Sequence, residues 1–494
     1  MAETAQVSET TATPRRLANW IGGRWEEASA ETNYAPVLNP ATGKMLAEVP
    51  LSGRAEVDLA VAAAAKAFQA WHKVPVPARA RLFFRYQSLL VEHRDELAEL
   101  LASENGKSLE EAQGEVQRGV ECVEFAAGAP TLMMGSQLPD IANGLESGMF
   151  RYPLGVVCGV SPFNFPMMVP CWMFPLAVAC GNAFVLKPSE RTPLLACRLA
   201  ELFQEAGIPP GVLSLVHGSR EAVDALLDHP GIAAVSFVGS QPAAEAVYRR
   251  GTAAGKRVQA LSGAKNHSIV LPDADLPAAA RQVAAAAFGS AGQRCMACSV
   301  VSVQQEVLEP FLRLLLEQAE AMRPDGGGGP AGVATPMIRC ESRDRSLGLV
   351  EGALLQGAEL FRDGRLDPAP TGCDSFLGPT ILTGVTEEMD AWREELFAPV
   401  LCVASIASLD EGIALANRSP FANGACLYTD SAKAVRRFRE GIDAGMLGIN
   451  IGVPAPMAFF PFSGYKNSFY GDLHANGKDG VEFYTRKKMV TARY

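Results

Sequence analysis

Gly155-Val-Val-Cys-Gly-Val160, Ala183-Phe-Val-Leu186, Val212-Leu-Ser-Leu-Val216 and Ala233-Ala-Val-Ser-Phe-Val238 are short apolar runs, each followed by a stretch with helical spacing, at 167–180, 192–206, 220–228 and 241–251. Runs of this length, bounded by glycine and proline, read as buried strands. Strand and helix in strict alternation predict a parallel sheet with helices on both faces. The series resumes after Cys295. Ser299–Val303, Val400–Ser405 and Gly424–Tyr428 read as strands, and 307–322, 409–417 and 431–440 as helices. Upstream, 52–71 reads as a helix capped by Ser52, with Val57, Val61, Ala64, Ala65 and Phe68 on one face. Residues 79–103 read as a second, with Leu82, Tyr86, Leu89 and Leu90 aligned. The expected fold class is α/β: two parallel-sheet α/β domains with a cleft between them, where ligands usually sit.

The chain has 494 residues, is 48% hydrophobic and 20% charged, and can bury a large core, which excludes a disordered protein. With 44 Lys+Arg against 54 Asp+Glu the net charge is −10, which argues against binding nucleic acid or an anionic membrane. Eleven cysteines are too few for a disulfide scaffold and point to a reducing compartment. Residues 1–16 lack an apolar stretch and carry two Glu before any Arg, so a loose polar tail is expected there rather than a signal. The uncharged run Tyr152 to Leu186 is long enough for a membrane span. Prolines at 153, 162, 166, 170 and 175 would break a spanning helix, so the run is read as strand, turn, helix and strand in a core. Residues 325–330 read as a surface loop. The G-x-G-x-x-G match at 327–332 follows no strand and contains a proline, so it is rejected as a dinucleotide site.

Four segments could carry chemistry. In Phe288-Gly-Ser-Ala-Gly-Gln-Arg-Cys295, the glycines allow close approach to a ligand, and Arg294 could favour the thiolate. Spacing alone leaves Cys295 as either a nucleophile or a buried structural cysteine. Cys298 completes a formal C-x-x-C and is a possible redox partner. Zinc is not expected, because no second Cys/His pair stands nearby. In Ser161-Pro-Phe-Asn164-Phe-Pro166, the amide of Asn164 could donate to an oxyanion, or the segment could be an ordinary turn. Lys187-Pro-Ser-Glu190 ends a strand at the sheet edge where nucleotides bind, and its pair could hold ribose hydroxyls or each other. Glu190 there would repel a 2′-phosphate. Gly239-Ser240, between a strand and a helix, is an anion site or simply a cap. Gly106-Lys107-Ser108 lacks the earlier glycine of a phosphate loop.

In this order and spacing the segments resemble the aldehyde dehydrogenase superfamily, together with Glu394-Glu395-Leu-Phe397-Ala-Pro-Val, over about Asn19 to Tyr494. Pro170-Cys-Trp-Met-Phe-Pro175, Gly263-Ala-Lys-Asn-His267, Gly445-Met-Leu-Gly-Ile-Asn450, Leu473-His-Ala-Asn-Gly-Lys-Asp479 and Phe483-Tyr-Thr-Arg-Lys-Lys488 are most similar to the CoA-acylating methylmalonate/malonate-semialdehyde dehydrogenases. The resemblance implies a Rossmann-like NAD-binding domain from 17–139 and 153–262 and a catalytic domain from 263–462. It also implies oligomerisation strands at 140–152 and 479–494, and a homotetramer built from dimers; the Ala- and Arg-rich composition and the lack of a transit peptide suggest a cytoplasmic location. It implies Cys295 as the nucleophile, with the Asn164 side chain and the Cys295 N–H holding the oxyanion. Lys187 and Glu190 would contact the adenosine ribose and Gly239 and Ser240 the pyrophosphate. Glu395 would hold the nicotinamide ribose, with Phe163 and Phe397 also at the cofactor. Arg118 and Arg294 would bind a substrate carboxylate. NAD and coenzyme A are the implied cofactor and co-substrate, with no metal.

One departure carries chemistry. Hydrolytic members place a Glu at the first position of Glu-Leu-Gly-Gly-Lys, and the matching stretch here, Leu261-Ser-Gly-Ala-Lys265, has a leucine. Leucine cannot take a proton from water, and general-base help is typically worth ~10²–10⁴-fold. A thioester on Cys295 should therefore wait for a more acidic nucleophile, such as the thiol of CoA. Ala398, where the family usually has Gly, is expected to be without consequence. A hydrolytic aldehyde dehydrogenase of broader range is the alternative. A non-catalytic protein on the same scaffold is disfavoured by the joint presence of Cys295, Asn164 and Glu395.

Overall fold

The computed structural model describes residues 15–322, 335–370 and 373–493. The loop expected at 325–330, the match at 327–332 and residues 1–14 of the expected tail lie outside the described residues. Arg15 and Arg16 do not continue a tail. The Arg15 carbonyl accepts from the Glu48 N–H (3.0 Å), and Arg16 pairs with the Glu48 carboxylate (2.9 Å).

Two sheets organise the chain. The first has eight strands, in the spatial order Arg24–Glu26, Asn19–Ile21, Leu213–Leu215, Ala183–Lys187, Val156–Val160, Ile232–Val238, Arg257–Leu261 and Phe469–Tyr470. The five from Leu213–Leu215 to Arg257–Leu261 are parallel. Val156–Val160 and Ala183–Lys187 are buried at every position, as strands covered by helices on both faces must be. After Val156–Val160 the chain adds strands in one direction as far as Leu213–Leu215. It then returns to the other side of Val156–Val160 with Ile232–Val238. The order of the sheet thus reverses between these two neighbours, and a crevice opens beyond their carboxyl ends. The second sheet has seven strands, ordered Glu359–Arg362, Thr380–Thr383, Val400–Ile406, Cys298–Gln304, Asn266–Val270, Gly424–Tyr428 and Met446–Ile449, parallel except for the first pair.

The suspect apolar run folds as the helix Met168–Ala179 between two core strands. Every residue after Met168 in it is buried, so it is apolar on all sides because protein surrounds it. No helix among the described residues is long and apolar enough to cross a membrane.

Local chemistry shifts three expected boundaries. The first long helix runs Arg54–Trp71 with Gly53 at its cap, because Ser52 is buried and bonds Asn19 instead (3.0 Å). Glu56 reaches back to the Gly53 N–H (3.0 Å). The span 79–103 is two helices, Val76–Glu92 and Arg94–Asn105, broken at His93, whose ring pairs with Glu96 (2.6 Å). Proline is tolerated in a first turn, so Pro77 lets the first of them begin early. The expected terminal strand from 479 is a helix, Gly477–Tyr484, and only then a strand, Thr485–Arg493. That strand pairs along its whole length with Leu145–Pro153, which also pairs with Ser136–Ala142. The resulting three-stranded sheet exposes Leu138, Phe150, Met489 and Val490.

Candidate active site

A cavity of about 790 Å³ lies beyond the carboxyl ends of the first sheet and reaches the second unit. Ser161, Lys187, Gly239 and Ser262 approach it from the ends of successive strands of the first sheet. Cys295 approaches from the turn before Cys298–Gln304, and Glu395 and Phe397 from the segment before Val400–Ile406. Of the residues singled out in the sequence, Phe163, Asn164, Lys187, Glu190, Gly239, Ser240, Cys295, Glu395 and Phe397 line this cavity, while Arg118 and Arg294 do not.

Cys295 ends a strained turn. Ser290, Ala291 and Gly292 all have left-handed φ, at 50°, 52° and 66°. At Gly292 a Cβ would stand 2.1 Å from the Ala398 carbonyl oxygen, so only glycine fits. The turn is held from the helix Leu109–Ala127. One carboxylate oxygen of Glu111 accepts both the Ser290 N–H (2.8 Å) and an Arg294 guanidinium N–H (2.5 Å). The Cys295 carbonyl oxygen accepts two buried amides, Asn266 Nδ2 (2.9 Å) and Asn423 Nδ2 (3.0 Å).

Asn164 is fixed as firmly. Its Nδ2 donates to the Gln293 carbonyl, two residues before Cys295 (3.0 Å). Its own carbonyl accepts from Lys107 Nζ (2.5 Å), which lies 4.0 Å from the Phe165 ring centroid. Lys107 is buried and pairs with buried Glu115 (2.5 Å), whose other oxygen accepts the Met167 and Met168 N–H groups (2.8 and 3.2 Å). One buried ion pair thus grips the loop on both sides of Asn164.

Electrostatics correct one expectation. Arg294 does not favour a Cys295 thiolate. Its charge is taken by Glu111, while burial, with a further push from the Glu395 carboxylate, raises the Cys295 thiol to about 12. Burial also raises Glu395, to about 7, against the backbone N–H of Ala264 that it accepts (2.9 Å) and the nearby Lys265. Gly263 gives this carboxylate room, since a Cβ there would stand 2.7 Å from Oε2. On another wall of the cavity, burial lowers the Lys187 ammonium. For Glu190, burial acts upward, but Lys187 (3.2 Å) brings the carboxyl below its ordinary value overall. The aromatic rings of Phe163 and Phe397 meet edge to face at 6.0 Å. Leu261 is buried in the apolar cluster against which Cys295 packs, so the end of Arg257–Leu261 offers no carboxylate there. All eleven cysteines are unpaired, and Cys298 Sγ lies 3.2 Å from Ser268 Oγ.

Arg118 sits on the same face of Leu109–Ala127 as Glu111 and Glu115. It pairs with Glu121 (3.0 Å) at the edge of a separate small depression. Sequence reasoning missed Lys107, Glu111, Glu115, Asn266 and Asn423. Only Lys107 and Asn266 fell inside quoted motifs, and neither was given a role.

The match to known proteins is extensive. Residues 25–490 fit the model of the aldehyde dehydrogenase family. The chain is 63% identical over 478 residues to malonate-semialdehyde dehydrogenase of Bacillus pumilus (strain SAFR-032), covering 97% of this chain and 98% of that one. It is 65% identical over 480 residues to malonate-semialdehyde dehydrogenase 3 of Geobacillus kaustophilus (strain HTA426), covering 97% and 99%. The crystal structure of methylmalonate-semialdehyde dehydrogenase from Oceanimonas doudoroffii superposes with a TM-score of 0.94 at 42% identity, over 97% of this chain and 98% of that one. A protein described as a methylmalonate-semialdehyde dehydrogenase from Sinorhizobium meliloti 1021, crystallised with NAD, gives 0.94 at 39% identity, over 98% and 99%. The strand order, the cavity at the reversal of the first sheet and these likenesses agree: the chain belongs to the aldehyde dehydrogenase family.

Proposed function

We propose that this chain oxidises malonate semialdehyde or methylmalonate semialdehyde with NAD and passes the acyl group, after loss of CO2, to CoA. The names of its relatives at 60–65% identity support the substrate class. The observation that carries the acylating chemistry is the pairing of Cys295 and Asn164 at one cavity with a buried leucine, Leu261, at the neighbouring strand end.

The cavity fits a dinucleotide. It lies at the reversal of a parallel sheet, has buried Lys187 paired with half-buried Glu190 on one wall, and has Gly239 and Ser240 before the 13-residue helix Gln241–Ala253. Lys187 and Glu190 would take the adenosine ribose, Gly239 and Ser240 the pyrophosphate, and Glu395, with Phe163 and Phe397, the nicotinamide end. NAD, when bound, accepts the hydride. In this reading the first-sheet unit binds the dinucleotide and the second carries the nucleophile.

Cys295 Sγ attacks the aldehyde carbon, and the Asn164 Nδ2 and Cys295 N–H groups donate to the oxygen as it becomes an oxyanion. Burial raises the Cys295 thiol, with a further push from the Glu395 carboxylate, so the thiol must lose its proton before it attacks. Hydride loss leaves a thioester on Cys295. Without a carboxylate at 261 that thioester resists water and is released by the thiol of CoA. The carboxylate of the substrate leaves as CO2, the carbonyl taking up the charge that develops. The three-stranded sheet, with exposed apolar residues on it, supports a homo-oligomer, a tetramer in this reading. A cytoplasmic location fits the unpaired cysteines. Cys295→Ala is expected to abolish NADH formation while leaving the fold intact, and normal turnover by that variant would refute the assignment.

A further inference from the structure

The cavity that holds Cys295 has two unlike walls. The first-sheet wall carries Lys187, Gly239 and Ser240, which the proposed reading gives to the dinucleotide. The wall built by the second unit carries three guanidinium groups, those of Arg339, Arg345 and Arg393, which no step above uses. In a chain of net charge −10 this is a local excess of cations. Arg345 is partly taken, by the Glu394 carboxylate (2.7 Å) and the Glu395 carbonyl oxygen (3.1 Å). Among the described residues neither Arg339 nor Arg393 forms an ion pair. Arg339 Nε donates to Ser342 Oγ (3.1 Å), and Arg393 donates to the Glu388 carbonyl oxygen. Both are exposed, so much of each planar fork is free to meet a ligand. Arg339 also stands at the N-terminus of the 16-residue helix Cys340–Leu355 without capping it, and Ser342, in the first turn, lines the cavity. The positive end of a helix therefore adds to the guanidinium charges. Guanidinium groups gathered in this way suit phosphate, whose oxygens they bind in pairs.

In the proposed reading two phosphate-bearing ligands use the cavity. The pyrophosphate of the dinucleotide has its place at Gly239 and Ser240. CoA carries a pyrophosphate and a 3′-phosphate, and its thiol must end at Cys295, which lines the same cavity as the three arginines.

We infer that Arg339, Arg345 and Arg393 receive the phosphate groups of CoA, so that its nucleotide end rests on the second unit while its pantetheine arm brings the thiol to Cys295. The inference rests on the proposed reading that CoA takes the acyl group. It gives each wall its own ligand: the dinucleotide on the first-sheet side, CoA on the other.

Arg339→Gln and Arg393→Gln, made together, keep the side-chain stems and remove two charges from exposed positions, where substitution disturbs folding least. Arg345 is left in place because it also holds the segment that carries Glu395. Steady-state kinetics with malonate semialdehyde and NAD compare CoA with pantetheine, which has the same thiol arm and no phosphate. The double variant is expected to raise KM for CoA about tenfold, the scale of one charged hydrogen bond, and KM for pantetheine less than twofold. Wild type should prefer CoA to pantetheine through KM. That preference should weaken as salt is added and shrink about tenfold in the variant. Equal shifts for the two thiols, or none, would overturn the inference. A KM for NAD raised as far as that for CoA would overturn it as well, placing the dinucleotide's pyrophosphate on these arginines instead. Should the double variant fail to fold, each single variant answers the same comparison. Failure of the underlying reading looks different: wild-type enzyme would turn over equally fast with no thiol added.

Discussion

Removing Lys107 should expose how much of the active site hangs on one buried ion pair. Lys107 Nζ and Glu115 lie 2.5 Å apart with side chains 3% and 1% exposed. At an effective dielectric constant of about 20 their gross attraction is about 7 kcal/mol, most of it offset by the cost of taking both charges out of water. Lys107→Met leaves Glu115 buried and unpaired, still accepting the Met167 and Met168 N–H groups, and breaking a buried pair in this way costs about 3–5 kcal/mol. Adding Glu115→Gln removes the stranded charge and keeps an oxygen for those two N–H groups, so the double variant should recover much of the stability. Activity should not follow. Both variants lack the Nζ hydrogen bond to the Asn164 carbonyl and the contact with Phe165, so the NADH burst should stay about tenfold slow in both, the scale of one lost charged hydrogen bond. Urea denaturation gives the stability and rapid-mixing NADH absorbance gives the burst. A double variant no more stable than Lys107→Met, or a burst restored along with stability, would refute this account of how Asn164 is held.

Two further outcomes follow from particular residues. Arg118→Ala should raise KM for malonate semialdehyde much more than for propanal, and equal effects on both would remove Arg118 from the carboxylate site. Glu104 is fully buried and accepts the Leu194 and Leu195 N–H groups at the start of a helix, yet burial raises its carboxyl to about 8 from 4.5. A raised carboxyl favours folding fully below pH 4.5 and loses that contribution as pH climbs through 8, so Glu104→Gln, which cannot ionise, should gain in stability relative to wild type between those values. A wild-type-minus-variant difference that stays flat across this range in denaturation curves would contradict that assignment.

The parallel sheets were legible because their strands are buried on both faces and read as unbroken apolar runs between helices. The ends of those strands then located Asn164, Lys187, Gly239 and Cys295 at one crevice. The helix Leu109–Ala127 was not legible. It turns Glu111, Glu115 and Arg118 toward the protein, and charged residues on an inward face erase the apolar periodicity by which a helix is recognised. Their partners lie far along the chain: Arg294 is 183 residues from Glu111, and Asn164 is 57 from Lys107. Adjacency misled for the same reason. Arg294 stands next to Cys295 in sequence, but the left-handed turn and Glu111 claim its charge, so the thiol is raised rather than lowered. Asn423, just before the strand Gly424–Tyr428 and 128 residues from Cys295, had no local signal at all, yet it donates to the Cys295 carbonyl.

The central claim is that a thioester on Cys295 awaits CoA because position 261 supplies no base for water. It is tested most directly by following NADH production from malonate semialdehyde and NAD with and without CoA. The account predicts steady turnover with CoA, and without it a burst of about one NADH per active site followed by near arrest. Equal steady turnover without CoA would contradict it. Another group, with Glu395 the first to examine, would then be activating water, and the hydrolytic reading would replace the acylating one.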